Sequence, residues 1–401
     1  MLSRPEPLLR ELEHALPERP FAVRLWDGST LPATNGGGPT FEVRSPDALA
    51  HALLSPGQLG LSRAYVSGAL DVDDLDAVLE TLAEWEPPPL ERREQARLAL
   101  AAARAFGVRR PPHVPRAELR LGGRRHTPER DARAVRHHYD VSNEFFALFL
   151  GEAMTYSCAI FSRGAKTLKE AQETKLELVC TKLDLKEGQR VLDVGCGWGS
   201  FAIHAAERHG VRVVGITLSE PQAELARQLV AERGLSDQVE IRVQDYRSTD
   251  DGPFDAVSSI GMVEHVGSSQ IDLYARQLAR LVKPGGRVLN HGIARLRVGE
   301  PEHGAFTQRY VFPDGAPLHL SRIQTALERA GLETHHVEDF RHDYAETLRH
   351  WAQRFDDNLD EAIRLGGAER ARVWRLYLRG ARRGFETGFT SIYQVRCSRP
   401  A

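Results

Sequence analysis

The sequence predicts an α/β protein, with a mostly parallel sheet in the larger part of the chain and a small N-terminal α/β domain before it. From residue 190 onwards, short apolar runs alternate with amphipathic helical segments. Such alternation implies a parallel sheet covered by helices on both faces. The chain has 401 residues, of which 41% are hydrophobic, and this is enough for two domains with a packed core.

The N-terminal domain is predicted over residues 1–115, followed by a linker over 116–130 and a catalytic domain over 131–401. Prolines and glycines cluster shortly before and within the linker, as is typical of an exposed connector. We expect the small domain to contact lipid, a membrane surface or a second subunit. Its helices are predicted at 8–16, 47–54, 74–85 and 90–106, and its strands at 21–26 and 41–44.

The larger domain is predicted to be built from repeated strand and helix units. Its strands are expected at 190–194, 211–216, 239–243, 254–260, 287–289, 335–339 and 391–396. Its helices are expected at 167–185, 200–209, 220–233, 270–282, 318–330, 344–365 and 368–382. Residues 283–286 form a predicted turn, and the last strand is expected to be an antiparallel edge.

Charge and cysteine content restrict the class of protein. The formal net charge is −2, yet 13 arginines face only five acidic residues between positions 91 and 138. This stretch indicates either an anionic partner or a solvated helix face, and both interpretations stay open. The four cysteines are scattered without a CxxC pair, which predicts neither a disulfide framework nor a zinc site and fits a reducing cytoplasm. No segment reaches the roughly 20 apolar residues of a spanning helix, so any membrane contact is expected to be peripheral.

Residues 191–199 follow the first strand of the predicted sheet and carry three glycines at every second position. They read Val-Leu-Asp-Val-Gly-Cys-Gly-Trp-Gly. Glycine suits a tight strand-to-helix turn because it adopts positive φ and lets the backbone approach a ligand closely. An ordinary turn would use the same glycines, so the motif alone is weak evidence.

The turn favours S-adenosylmethionine (SAM) over a dinucleotide. A dinucleotide site has the spacing GxGxxG and an acidic residue about 20 positions later. Here the spacing is GxGxG, and Thr217 stands where that acidic residue is expected. Ligands of such sheets lie beyond the carboxyl ends of the strands. The polar residues expected there are Thr217, Ser219, Gln244, Asp245, Glu264, His265, Asn290 and His291.

Six motifs in one order make the chain similar to the cyclopropane-fatty-acyl-phospholipid synthases and the related mycolic acid cyclopropane synthases. They lie at 138–143, 156–159, 191–199, 217–222, 244–247 and 261–267. The resemblance covers residues 131–401, and residues 1–110 more loosely resemble the N-terminal domain of the bacterial phospholipid enzymes. It implies the Rossmann-like fold of SAM-dependent methyltransferases.

The resemblance also implies two sets of site residues. The residues implied to bind SAM are Tyr156, Ser157, Asp193, Val194, Gly195, Cys196, Gly197, Trp198, Gly199, Thr217, Leu218, Gln222, Gln244, Asp245 and Tyr246. A bicarbonate ion is implied to be held by Cys158, Glu264, His291, the backbone of Ile293, and Tyr344. Some relatives have a cysteine in a late helix where this chain has Ala381, which favours bicarbonate as the base over a covalent cysteine route. No metal is expected.

The implied reaction is methylene transfer from SAM to the cis double bond of an unsaturated acyl chain of a membrane phospholipid. The alkene attacks the sulfonium methyl group, and a base that is shielded from water removes a proton from the new methyl group to close a cyclopropane ring. S-adenosylhomocysteine is the second product. The enzyme is expected to be a cytoplasmic homodimer, peripherally associated with the inner face of the membrane, with no nucleic-acid partner.

Three alternatives stay open. The same alkene could be converted into a methyl-branched or methylidene-branched chain of the 10-methyl type. The enzyme could act on a soluble small molecule, or the protein could bind lipid without catalysis. Five aromatic residues could line an acyl channel or simply pack in the core, namely Phe145, Phe146, Phe149, Tyr310 and Phe312.

Overall fold

The protein is described by a computed structural model, and its fold is the predicted α/β class. The structure describes residues 5–107, 110–123, 125–127, 129–131, 133–134, 142–299 and 304–401. The chain divides into two compact units. The first comprises residues 1–119, 304–310 and 366–383, and the second comprises 120–303, 311–365 and 384–401. The domain ranges 1–115, 116–130 and 131–401 stay a prediction. The two compact units differ from these predicted ranges because the first unit includes two segments from the C-terminal part of the chain.

The first unit is built around a small mixed sheet. The helices of its N-terminal segment are α1 (Glu6–Ala15), α2 (Asp47–Leu54), α3 (Gln58–Val66), α4 (Leu75–Glu84) and α5 (Arg92–Phe106). The strands are β1 (Ala22–Arg24), β2 (Thr30–Leu31), β3 (Thr40–Val43) and β4 (Leu70–Val72), in the sheet order β2-β1-β3-β4. Leu8, Phe21 and Val23 are among the buried side chains of its core. The short elements α3, β2 and β4 were not predicted, because they lack a clear periodic pattern.

The second unit contains the large sheet. Its strands are β5 (Arg190–Val194), β6 (Arg212–Thr217), β7 (Val239–Val243), β8 (Phe254–Ile260), β9 (Val282–Arg295), β10 (Glu333–Asp339) and β11 (Thr390–Ser398). The helices after α5 in the whole chain are α6 (Asn143–Leu150), α7 (Leu168–Leu183), α8 (Ser200–His209), α9 (Glu220–Glu232), α10 (Val263–Val266), α11 (Ile271–Leu281), α12 (Ala305–Tyr310), α13 (Leu320–Arg329), α14 (Arg341–Asp357) and α15 (Leu359–Glu386).

The strand order of the large sheet is β10-β11-β9-β8-β5-β6-β7. The strands β9, β8, β5, β6 and β7 pair in parallel, whereas β11 pairs antiparallel with both β9 and β10. Buried apolar clusters cover both faces of the sheet, one involving α11 and α13 and the other involving α7, α8 and α9. This arrangement confirms the predicted parallel core and brings the carboxyl ends of β5, β6, β7 and β8 to one edge.

Two predictions for the sheet were wrong. The last strand is antiparallel but lies between β9 and β10, so it is not the edge. The polar strand β10 is mostly half-buried or exposed and occupies the edge instead, as polar strands commonly do. The strand predicted at 287–289 is longer, because residues 283–286 bulge out of its ladder with β8 and pair with Arg399 near the chain end.

The two C-terminal helices also differ from their predicted bounds. The first ends at Asp357 instead of residue 365, and α15 begins at Leu359, although its break at Gly367 agrees with the predicted start of the second helix at residue 368. Gly367 then interrupts the second helix with φ 78° and ψ 160°. That backbone conformation is open to glycine and strained for other residues, so the glycine permits the kink.

The arginine-rich stretch is not uniformly solvated. Arg92, Arg93 and Arg97 are exposed on α5, whereas Arg130 is buried and paired with the carboxylate of Asp314, 2.8 Å from Nη2 to Oδ1. At least one arginine of this stretch is therefore structural. Among the described residues, no helix combines the length and the apolar character that crossing a bilayer requires.

Candidate active site

The glycine turn joins β5 to α8 at the carboxyl edge of the sheet. Gly195, Gly197 and Gly199 all have positive φ, at 82°, 55° and 83°. A Cβ atom added at Gly197 would meet no heavy atom of the described residues within 4 Å, so the turn borders open space there. At Gly199, an added Cβ would lie 3.3 Å from the Ala226 side chain. Glycine at this position therefore lets α8 pack closely against α9.

Asp193 is the last polar side chain of β5 before the turn, and it is buried. Neither of its carboxylate oxygens has a well-formed hydrogen bond with a described residue. Burial raises the pKa of this carboxyl group to about 7, opposed by the positive charge of Lys175 and by the nearby Ser258 hydroxyl group. A buried polar group without partners is costly, and this one lies in the wall of a cavity. The carboxylate is therefore positioned to accept a hydrogen bond from a ligand.

The cavity beside Asp193 collects most of the predicted SAM residues. Those in its wall are Tyr156, Ser157, Asp193, Val194, Gly195, Cys196, Gly197, Trp198, Thr217, Leu218, Gln222, Gln244 and Tyr246. The Thr217 hydroxyl group donates to Gln222 Oε1 at 2.8 Å, which fixes the amide of Gln222 at the end of β6. Gly199 and Asp245 are not in the wall. The Asp245 carboxylate instead binds the guanidinium group of Arg247, with one oxygen 2.9 Å from Nε.

Lys175 is a site residue that the sequence analysis missed. It lies on α7, is 1% exposed, and its Nζ donates to Ser157 Oγ at 3.0 Å. Burial lowers its pKa to about 8, opposed by the nearby Cys158, Asp193 and Cys180 side chains. Its charge acts both on the Asp193 carboxyl group and on the predicted anion-site residues Cys158 and His291. The apolar pattern of α7 could have indicated that Lys175 is buried, because this residue stands on the same face as Ala171, Leu176 and Val179.

A second buried residue of α7 shapes the same wall. The side-chain amide of Gln172 donates to the carbonyl oxygens of Thr155 and Ser157, at 3.3 and 2.9 Å. These bonds hold the loop that carries Tyr156 and Ser157. One helix, α7, therefore positions the loop on one side of the cavity.

The predicted anion-site residue Glu264 lies on α10, after the carboxyl end of β8. Its Oε2 atom is buried and has no hydrogen-bond partner among the described residues. Burial raises its pKa to about 7, against hydrogen bonds from its own backbone and from the backbone of Ile293. A Cβ atom added at Gly292 would lie 2.2 Å from Val263 and 3.1 Å from Glu264 Oε2. Glycine at 292 thus lets β9 approach the carboxyl group closely.

His291 lies on β9 and is fully buried. Its Nδ1 atom is 2.9 Å from Gln394 Nε2 on β11, so with the amide as donor the ring carries its proton on Nε2. Nε2 has no hydrogen-bond partner among the described residues. Burial, together with the charges of Lys175 and Lys182, holds the pKa of His291 well below its usual range. A neutral ring with an unused N–H donor results.

Cys158, Tyr344 and His291 have a common neighbour, Phe340. The Phe340 ring is stacked against His291 at 6.3 Å, and its carbonyl oxygen accepts from Tyr344 N at 3.0 Å and lies 3.8 Å from Cys158 Sγ. Burial raises the pKa of the Cys158 thiol, so the group stays protonated and is a poor nucleophile. Tyr344 is buried, with its ring 4.6 Å from Phe385 and 6.0 Å from Trp351.

The aromatic residues divide between packing and the cavity. Phe145, Phe146 and Phe149 are completely buried and contact one another or Phe355. Phe312 lies 5.2 Å from the ring of His265, a residue of the cavity wall. Burial lowers the pKa of His265 to about 4. Tyr310 belongs to the first unit, where its hydroxyl group donates to Glu118 at 3.2 Å. The motif at 138–143 lies largely outside the described residues, which resume at Ser142.

Comparison with solved structures defines the class of protein. The chain is similar in structure to a mycolic acid cyclopropane synthase, CmaA1, whose crystal structure is complexed with SAH and CTAB. The TM-score is 0.64 and the sequence identity 34%, over 67% of this chain and 98% of that chain. The chain thus has the fold of the SAM-dependent methyltransferases.

The family follows from the sequence comparisons. The model of the family described as mycolic acid cyclopropane synthetase matches residues 126–395, and the chain belongs to this family. A probable fatty acid methyltransferase of Mycobacterium tuberculosis, Rv3720, is 40% identical over 96% of this chain and 92% of its own length. Cyclopropane-fatty-acyl-phospholipid synthase of Escherichia coli is 32% identical over 92% of this chain and 90% of its own length. The protein is a SAM-dependent methyltransferase of the cyclopropane fatty acyl synthase family.

Lys175→Met is expected to weaken SAM binding by roughly tenfold or more, because the loop of Tyr156 and Ser157 loses a charged hydrogen bond, worth about 1.5–3 kcal/mol, that holds it in the cavity wall. The substitution removes the bond to Ser157 Oγ and the only lysine that the described part of the chain contributes to the cavity wall. Isothermal titration calorimetry with SAM measures the change. Lys169→Met, at an exposed position of the same helix, is the control and should bind like the wild type. Unchanged affinity in Lys175→Met would remove Lys175 from the site.

Glu264→Gln is expected to change the pH dependence of stability. The folded carboxyl group has a pKa of about 7 against an ordinary value of 4.5, so the folded state keeps a proton that the unfolded chain has lost. The wild type should therefore lose free energy of unfolding relative to the variant as pH rises from about 4.5 to about 7, by up to roughly 3 kcal/mol. Urea denaturation across this range measures it. For Glu173→Gln, at an exposed position, the free energy of unfolding should change with pH as it does in the wild type. A constant difference between wild type and Glu264→Gln would contradict the raised pKa.

Proposed function

We propose that the protein transfers a methylene group from SAM to the cis double bond of an unsaturated fatty acyl chain of a phospholipid, forming a cyclopropane ring. The observation that carries this proposal is the buried Glu264 carboxyl group, whose Oε2 atom has no hydrogen-bond partner among the described residues and which lies next to Gly292 of β9. Methyl transfer to a lone pair has no need for such a group, whereas methyl transfer to an alkene leaves a carbocation that must lose a proton within a water-poor site before the ring can close.

The chain's own residues support this chemistry in distinct ways. Asp193 and the glycine turn bind the co-substrate, and Lys175 and Gln172 hold the loop of Tyr156 and Ser157 against it. His291 offers an N–H donor, since Gln394 occupies its other ring nitrogen. Cys158 contributes a neutral thiol rather than a nucleophile.

A small anion fits the predicted anion-site residues around Glu264 and His291. His291 Nε2 is an unused donor, Glu264 Oε2 is unpaired among the described residues, and the pKa of Glu264 is high enough for the carboxyl group to share a proton with an anion. We propose that Cys158, Glu264, His291, the backbone of Ile293 and Tyr344 hold bicarbonate. When bound, bicarbonate supplies a compact base.

A second candidate product is a methyl-branched or methylidene-branched acyl chain. The relative that is 40% identical is named a probable fatty acid methyltransferase, and the E. coli relative named as a cyclopropane synthase is 32% identical. Both products begin with the same carbon transfer to the alkene. The intact pair Glu264 and His265 favours the cyclopropane.

We further propose that the enzyme works at a membrane surface, on its cytoplasmic face, as a homodimer. The exposed arginines of α5, among them Arg92, Arg93 and Arg97, suit contact with anionic lipid headgroups. The relative whose structure was solved with CTAB is consistent with a long-chain substrate. Because exposed charges are screened by salt, such contact would weaken at high ionic strength.

Expression of the chain in bacteria that contain monounsaturated phospholipids is expected to convert alkene chains into cyclopropane chains. Gas chromatography with mass spectrometry of the fatty acid methyl esters measures the product. A gain of one methylene group that resists hydrogenation supports the cyclopropane. A branched chain, either saturated or carrying a methylidene group that hydrogenation reduces, selects the second candidate. Unchanged lipids, with folded protein present, would contradict both.

Tyr344→Phe and Glu264→Gln are expected to reduce turnover by roughly 10²- to 10⁴-fold, the usual contribution of proton transfer, while SAM affinity stays near that of the wild type. Turnover is followed with labelled SAM and phospholipid vesicles, and SAM affinity by calorimetry. Tyr377→Phe, on α15 outside the proposed site, is the matched control. If SAM affinity fell as much as turnover, the separation of SAM-binding residues from anion-binding residues would be refuted.

A further inference from the structure

We propose a second site, separate from the SAM cavity, that binds Zn²⁺ or a similar divalent metal ion. It lies between α7 and α8 and is formed by Glu177, Cys180, His204 and His209. Two ligands come from each helix. Cys180 and the two histidines each offer a ligand atom, and these three atoms lie within 4.8 Å of one another. Glutamate, cysteine and histidine are the side chains that zinc prefers in proteins.

The carboxylate of Glu177 completes the set. Its Oε2 atom is 3.2 Å from His204 Nε2 and 3.2 Å from His209 Nε2. Zinc binds such nitrogen and oxygen atoms at about 2.0–2.2 Å in a tetrahedron, and the edges of a tetrahedron with bonds of about 2.0 Å are about 3.3 Å long. The Glu177 oxygen is therefore already as far from each histidine nitrogen as two neighbouring ligands of one ion would be.

Cys180 supplies the fourth ligand from the buried side. Its thiol group is free and buried in the apolar cluster that α7 and α8 share. Metal binding displaces the thiol proton, and the thiolate becomes the ligand. With four protein ligands, the coordination would be closed, as in structural rather than catalytic zinc sites.

The site is accessible to an ion from solvent. The side chains of His204 and His209 are 14% and 20% exposed, and that of Glu177 is 51% exposed. A shallow surface groove passes Glu177 and His204 and also borders Arg163 and Arg208. The groove provides an entry path, and its two arginines are positive charges that the ligand set has to outweigh.

The location gives the metal a structural purpose. Helix α7 carries Gln172 and Lys175, which hold the loop in the cavity wall. Helix α8 begins at Ser200, directly after the glycine turn. An ion that joins these two helices would fix the spacing between two walls of the SAM cavity without taking part in the reaction.

The test uses the full-length protein with any affinity tag removed, so that its histidines do not bind metal. After addition of excess Zn²⁺ and exhaustive dialysis, elemental analysis should find one zinc per chain. Titration with Co²⁺ should give the thiolate charge-transfer absorption and the intense visible bands of a tetrahedral site. The melting temperature should rise with Zn²⁺.

The variants His204→Gln, His209→Gln and Cys180→Ser separate a site from chance binding. Each should weaken zinc binding by more than the roughly 10–100-fold that loss of an outer-shell partner costs. Cys180→Ser should also abolish the thiolate absorption. The matched control is His350→Gln, which removes a histidine that pairs with Glu346 at 3.3 Å elsewhere on the surface and should leave zinc binding intact.

Two results would overturn the proposal. One is wild-type protein that retains no zinc after dialysis and gives no thiolate absorption with Co²⁺. The other is equal zinc binding by the wild type and the His204→Gln/His209→Gln double variant. Both measurements are independent of enzymatic activity, and circular dichroism of each variant verifies that it is folded.

Discussion

A buried carboxylate that has no well-formed hydrogen bond with a described residue is the constraint on which the site depends. Asp193 ends β5 inside the protein, where its two oxygens have no well-formed hydrogen bond with a described residue. Such a group is costly in the unliganded protein, and it persists because the parallel sheet fixes β5 between β6 and β8. The buried Lys175 offsets part of the cost through its charge. A ligand that donates a hydrogen bond to Asp193 would remove the rest of this cost, which would favour binding of such a ligand.

In the proposed function, the choice of reaction depends on residues outside the glycine turn. The glycine turn and Asp193 fit SAM, which serves many methyltransferases, whereas Glu264 and His291 lie on the neighbouring elements α10 and β9. Burial acts on these two groups in complementary ways: it raises the pKa of the carboxyl group and lowers that of the imidazole ring. Both are therefore favoured in their neutral forms, which suits them to hold an anion by hydrogen bonds. Lys175 lies close enough to affect both ends of the site electrostatically.

The sequence predicted the elements with strong local signals. The glycine turn, the parallel strands from β5 to β8 and the residues at their carboxyl ends follow from periodicity and spacing, and the structure confirms these elements. Lys175 was missed because a lysine in a helix is usually solvent-exposed. Gln394 was missed because its bond to His291 joins strands about a hundred residues apart, which no local pattern encodes. The cluster of Glu177, Cys180, His204 and His209 has no recognisable motif spacing, because it forms only when two helices pack together.

A crystal structure of the protein with S-adenosylhomocysteine tests the central claim most directly, since the claim concerns how two groups of residues share one ligand. The amino-acid end of the ligand is predicted to contact Asp193 near Lys175, with the sulfur atom facing Glu264 and His291. A sulfur atom that faces away from these two residues, or is separated from them by the packed core, would contradict the account.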